Sequence, residues 1–330
     1  MVNDRPGTNR RGQIMLVGAL ALAVLLLALV PVYNAVFMAE GAGAGEPEGV
    51  SDTALSAEAV GIRAAQGLAV RTGHGSVYAD TDEVAAAFDP AFENYTRLHD
   101  EAAVAGSDTY VRTTFDADAP GTEYGVRVVQ NRSGYLDKPT VAHTPGPKNW
   151  FVVRNSNRTG LGWFTARFDV SNLSETDRFT VVASNGTHSV ELGVGSDGGS
   201  TDVTVNASGD VGEMDEPVTC SSRAGEIVVD LYRGSADRGD CTFTGLDAVE
   251  GPVSVRIRNG SSAYGVYELV VRNGTGLQPT IEACTAASPS TSSPCSSPTF
   301  WQLAVTTRVE TDRTAYENRV NVSVYGAGGD

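Results

Sequence analysis

With 330 residues the chain has length for one large domain or two small ones, and 40 acidic against 24 basic residues leave it a net charge of −16. No basic patch is present to neutralise phosphates, which excludes nucleic acid as a partner, and an anionic lipid surface would repel most of the chain. Lys138 and Lys148 are the only lysines. Spread acidity with scarce lysine points to a protein living in high salt. There the Debye length falls to about 3 Å at 1 M, so carboxylates hydrate the surface without strong self-repulsion.

The first element is residues 14–38, IMLVGALALAVLLLALVPVYNAVFM, with no charged residue. As a helix rising about 1.5 Å per residue it is long enough to cross a hydrocarbon core of about 30 Å. Arg5, Arg10 and Arg11 precede it and Glu40 follows, so the positive-inside rule puts the N-terminus in the cytoplasm and everything beyond Glu40 outside. Three fates are open: a cleaved secretory signal ending near Ala42-Gly43-Ala44, an uncleaved anchor, or a processed signal at Arg10-Arg11-Gly12-Gln13.

Next comes a Gly/Ala linker over 39–50, then an alanine-rich helical stalk over 51–105. In its first half Leu55, Ala59, Ile62 and Val70 recur near helical spacing. Gly73 to Gly75 interrupt it. A second helix is predicted from Asp82 to Ala105, capped by Thr81 or Asp82, with Val84, Phe88, Phe92, Tyr95 and Leu98 as its apolar stripe.

From 106 to 330 the period changes to two. Strands are predicted at 110–115, 124–130, 150–154, 163–170, 178–183, 188–194, 202–206, 226–232, 252–258, 265–272, 301–309 and 320–325. Asn185-Gly186, Asn259-Gly260 and Asn273-Gly274 supply turns. Polar residues on alternate positions suit antiparallel sheets, not buried parallel ones. The expected fold class is therefore α+β: an N-terminal transmembrane helix, a short helical stalk and a mainly antiparallel outer domain, either one sandwich or two sub-sheets.

The Arg10-Arg11-Gly12-Gln13 run directly before the apolar stretch resembles the archaeal class III (prepilin) signal, and the whole layout resembles type IV pilin-like proteins. More narrowly, Arg11-Gly12-Gln13 with the apolar run over 16–34 resembles a family of single-span haloarchaeal membrane proteins. The resemblance implies cleavage between Gly12 and Gln13, a single-pass protein with a cytoplasmic basic stub over 1–13, and a location at the cell surface. It carries no catalytic residue. Bacterial pilins place a glutamate early in this helix; this segment has none.

An outer domain would be glycosylated and oxidised. Sequons occur at Asn94, Asn131, Asn157, Asn172, Asn185, Asn206, Asn259, Asn273 and Asn321. Cys220, Cys241, Cys284 and Cys295 read as two disulfides, with sequence neighbours favoured as partners, because their spacing fits no common zinc pattern. The Ser/Thr/Pro tract 285–299 reads as an exposed, O-glycosylatable loop. His74, His99, His143 and His188 stand alone in the sequence and read as surface residues. Asp80, Asp82 and Glu83, and Asp116 with Asp118, read as solvated acids. No metal, cofactor or enzymatic motif is expected. The expected partners are the lipid bilayer and, on assembly, other pilin-like subunits or envelope components. The alternative is a membrane-tethered binding module for a sugar, ion or envelope partner.

Overall fold

Two antiparallel sheets share one core, and a helical pair lies on the outer face of the larger sheet. The computed structural model describes residues 48–106, 110–137, 149–154, 160–198, 202–211, 216–236, 241–272, 276–285, 294–310 and 315–325. The segment 14–38, Gly12 and Gln13, Asn157, Asn273 and His143 lie outside these. Among the described residues no helix is long and apolar enough to cross a membrane. The chain divides into the units Met1–Glu58 and Ala59–Asp330. Helix α1, Glu48–Gly75, starts inside the stretch read as linker and runs across that boundary; the contacts below concern the second unit.

The larger sheet, sheet A, holds β1 (Tyr110–Phe115), β2 (Glu123–Tyr135), β4 (Leu161–Asp169), β9 (Glu226–Asp230), β10 (Ser235–Ala236), β11 (Cys241–Thr242), β13 (Tyr264–Val271), β14 (Cys295–Glu310) and β15 (Ala315–Ser323). The smaller, sheet B, runs β3 (Trp150–Val153), β12 (Ser254–Arg258), β5 (Phe179–Ser184), β6 (Ser189–Ser196), β7 (Asp202–Gly209) and β8 (Val218–Ser221). Every ladder is antiparallel. β14 organises sheet A. Its C-terminal half pairs with β1 through Val305 to Glu310, and its N-terminal half pairs with β2 through Cys295 to Gln302. Val305 also pairs with Val320 of β15, so β15 takes the opposite edge.

Alternation sorts the side chains into layers. Phe164, Phe168, Leu269 and Val229 of sheet A face Val181, Leu192, Val205 and Ile257 of sheet B in the main core. The intervening positions of sheet A, such as Val270 and Phe300, join Val305 and Val322 under the helices. Helix α2, Thr81–Gly106, supplies Val84, Phe88 and Phe92 to this second core as expected, with Tyr95 half-buried and Leu98 exposed. The Phe88 ring meets Phe300 edge-on at 5.1 Å. Its cap is Asp80, one residue before the predicted position: Glu83 N–H donates to Asp80 Oδ1 at 2.9 Å, while Glu83 Oε2 accepts from Ala79 N–H.

α1 buries a row of small residues instead of its larger apolar ones. Gly61, Ala65, Ala69 and Gly73 face the sheet, and Ile62 and Val70 flank them half-buried. A Cβ on Gly73 would lie 2.2 Å from Thr299 Oγ1, so the helix approaches the sheet more closely than a larger row would permit.

The twelve predicted strands are present, with β8, β10 and β11 added. The tract 285–299 is corrected in part: Cys295 to Thr299 belong to β14, and Ser297 and Thr299 are fully buried. Pro298 is tolerated there because, among the described residues, it pairs on one side alone, with Val126 of β2. Both disulfides join sequence neighbours. Cys220–Cys241 ties β8 to β11, stapling sheet B to sheet A, and Cys284–Cys295 holds a loop to the start of β14.

Candidate functional site

Where α1 ends, a polar network replaces the apolar core. Arg127 on β2 and Glu268 on β13 each interrupt a valine-rich run, GVRVVQ and YELVV. Arg127 pairs across with Val270 and Glu268 with Val129, which makes the two charges diagonal neighbours on the helix-facing side. Arg127 is 4 % exposed and forms an ion pair through Nε with Glu268. Its Nη1 donates to the carbonyls of Gly73 and, at 2.6 Å, of Ser76. The buried guanidinium therefore caps the C-terminal carbonyls of α1, where a cation is favoured.

His74 completes the network, which corrects its reading as an isolated surface residue. Its Nδ1 lies 2.7 Å from Glu268 Oε1, and its Nε2 lies 2.9 Å from the Tyr325 hydroxyl. Which of the two groups donates between Nε2 and the Tyr325 hydroxyl follows the tautomer of the ring. The Tyr325 hydroxyl also contacts Thr299 Oγ1 at 3.3 Å. A carboxylate, imidazole and hydroxyl in line is the arrangement that activates a nucleophile. Here burial pushes the Tyr325 phenol up to about 12, with the Thr299 hydrogen bond pulling the other way. The hydroxyl is kept protonated, and the chain of bonds works as a clamp holding the end of α1 to sheet A.

The clamp forms one wall of a trough. A cavity of about 370 Å³ lies against His74, Arg127, Asn131, Thr165, Arg167 and Val228. A second, of about 580 Å³, shares Thr165, Arg167 and Val228 and extends to Trp163, Glu226 and Asp230. The helical layer stops at Trp163, whose ring meets His74 edge-on at 5.2 Å. Beyond it no described residue covers the outer face of β4 and β9, and Val228 is 50 % exposed. Trp163 Nε1 donates to Thr165 Oγ1 at 2.8 Å, and the Arg233 guanidinium sits 6.0 Å from its ring. Arg167 reaches Glu226 at 3.7 Å, too long for a hydrogen bond. Charges of both signs balance along the trough, unlike the strongly acidic chain as a whole.

A second cleft, between α2 and β1, is lined by Asp89, Glu93, Asp100, Asp116 and Asp118. Burial raises the Asp89 carboxyl, and Glu93 raises it further. Asp116 Oδ1 accepts from Asp118 N–H in a turn. Among the described residues no three His, Cys, Asp or Glu are placed to hold a metal.

The expected glycan acceptors divide by environment. Asn94, Asn131, Asn172 and Asn321 are exposed. Asn185 and Asn259 are half-buried, and their side-chain amides donate to the main-chain oxygens of Glu250 and Arg178. Asn206 is half-buried on β7. Of the other histidines, His99 stacks on Tyr95 and His188 is exposed.

No protein-family model, curated protein or solved structure matches the chain. The sequence had flagged neither the clamp nor the trough. The available signal was the pair of opposite, solitary charges in VRVVQ and YELVV, residues 126–130 and 267–271.

Proposed function

We propose that this chain is a membrane-anchored, pilin-like surface protein of a halophilic archaeon, spanning the bilayer once through residues 14–38 with its sheets outside. The observation that carries the reading is α1. It begins ten residues after the apolar run ends, and from Ala59 onward it lies on sheet A with its end clamped by Arg127, Glu268, His74 and Tyr325. A close-packed row of small residues and a buried, ion-paired polar network make a stiff joint. Such a joint suits a head that transmits load to, or is presented by, a helical stalk. The two disulfides and the nine sequons suit an oxidising exterior. We read the chain as non-catalytic, because its sequence carries no enzymatic motif.

The N-terminus of the protein isolated from its host tests the pilin part of the reading. A chain beginning at Gln13 supports it. A start at Met1 or Val2 leaves a plain anchor, and a start near Gly45 means a released protein. The second reading, a tethered binding module, draws its support from the trough.

A further inference from the structure

The trough has the chemistry of a saccharide site. Its floor offers an indole, Trp163, for the C–H face of a sugar ring. Around it stand a hydroxyl on Thr165, a guanidinium on Arg167 whose ion pair is long, and carboxylates on Glu226 and Asp230. Donors and acceptors alternate over a shallow, open surface. That arrangement matches a polyol, whose hydroxyls serve as both. It does not match a metal ion, which needs converging carboxylates, nor a protein partner, which needs a larger apolar centre than Val228 supplies.

The structure also names the source of such a ligand. Asn131 stands exposed on β2 in the same cavity wall as Thr165 and Arg167, within the sequon Asn131-Arg132-Ser133. A glycan attached there begins at the mouth of the trough. Tethering replaces a bimolecular association by an intramolecular one, at an effective concentration of about millimolar, so weak contacts suffice to seat it.

We propose that the uncovered outer face of β4 and β9 is the binding site for the saccharide N-linked to Asn131 of the same chain. The sugar then covers the strip of sheet A that the helical layer leaves open. This inference rests on the external location proposed above, since the modification is made only there.

The test uses the full-length glycosylated chain in a non-glycosidic detergent at high salt. Hydroxyl-radical footprinting of Trp163 and Val228 is combined with glycopeptide mapping, for the wild type and for Asn131→Gln, Asn94→Gln and Arg167→Ala. Oxidation of Trp163 and Val228 is expected to rise several-fold in Asn131→Gln and to stay unchanged in Asn94→Gln, whose sequon lies on α2. In Arg167→Ala it is expected to rise while Asn131 stays modified. Equal labelling of wild type and Asn131→Gln with Asn131 glycosylated overturns the proposal. So does an unmodified Asn131 beside other modified sequons, which leaves the external location standing. No modified sequon at all removes both.

Discussion

Two buried tyrosines differ in whether the hydroxyl finds a partner. The Tyr267 hydroxyl is buried and finds no hydrogen-bond partner among the described residues, so folding strips it of water for nothing in return. Tyr267→Phe is expected to stabilise the protein by about 1 kcal/mol, read as a higher urea midpoint with an unchanged slope. A loss of similar size would mean that the hydroxyl does have a partner. Tyr325 is the opposite case, buried but bonded to His74 and Thr299. Its folded value, about 12, lies above the ordinary 10.0, so the folded state holds the proton longer. Its contribution is complete below pH 10 and is lost as pH climbs to 12. Tyr325→Phe is expected to reduce stability at pH 8 by about 1 kcal/mol and to flatten the alkaline loss between pH 10 and 12. An alkaline profile identical to wild type would contradict the clamp. Neither role was legible in the sequence: Tyr267 and Tyr325 look alike in an alternating strand, and only the neighbouring layers distinguish them.

Among the elements, α1 gives the sharpest contrast. Helix propensity alone says that glycine to alanine stabilises by about 1 kcal/mol anywhere in its interior. Packing says otherwise where the helix touches the sheet. A Cβ at Gly67 meets nothing within 4 Å, so Gly67→Ala is expected to raise the melting temperature. At Gly73 the same methyl would strike Thr299 and crowd Tyr325, so Gly73→Ala is expected to cost about 1–3 kcal/mol and to loosen the clamp. Thermal melts of the two variants check this, and equal effects would mean that the helix does not pack as described. The elements themselves were largely readable, because period two and period 3.6 survive in the sequence wherever one face is buried. The α2 stripe from Val84 to Phe92 is legible in the sequence and buried in the structure. The buried row of α1 is not legible in the sequence, because small residues carry little hydrophobic signal, although they permit the closest approach. β10 and β11 are two residues each, too short to show any period. The start of β14 was lost behind serine, threonine and proline.

For the whole molecule, the sheets are held by a common core and one covalent staple. Cys220–Cys241 closes a separation of 21 residues between β8 and β11. Replacing both by serine is expected to cost about 3 kcal/mol, seen as a lower denaturant midpoint, and a change below about 1 kcal/mol would show that the sandwich core alone fixes the edge. The architecture was foreseeable from turn spacing and alternation; the three-layer order was not, since nothing local states which sheet face the helices cover. The account stands on the position of the lipid. Lys138 and Lys148 are the only lysines, and both fall after residue 38. Intact cells treated with a membrane-impermeant amine reagent, followed by peptide mass spectrometry, are predicted to show both lysines modified to the same extent as in lysed cells. Labelling that appears only after lysis would place the sheets in the cytoplasm and contradict the account.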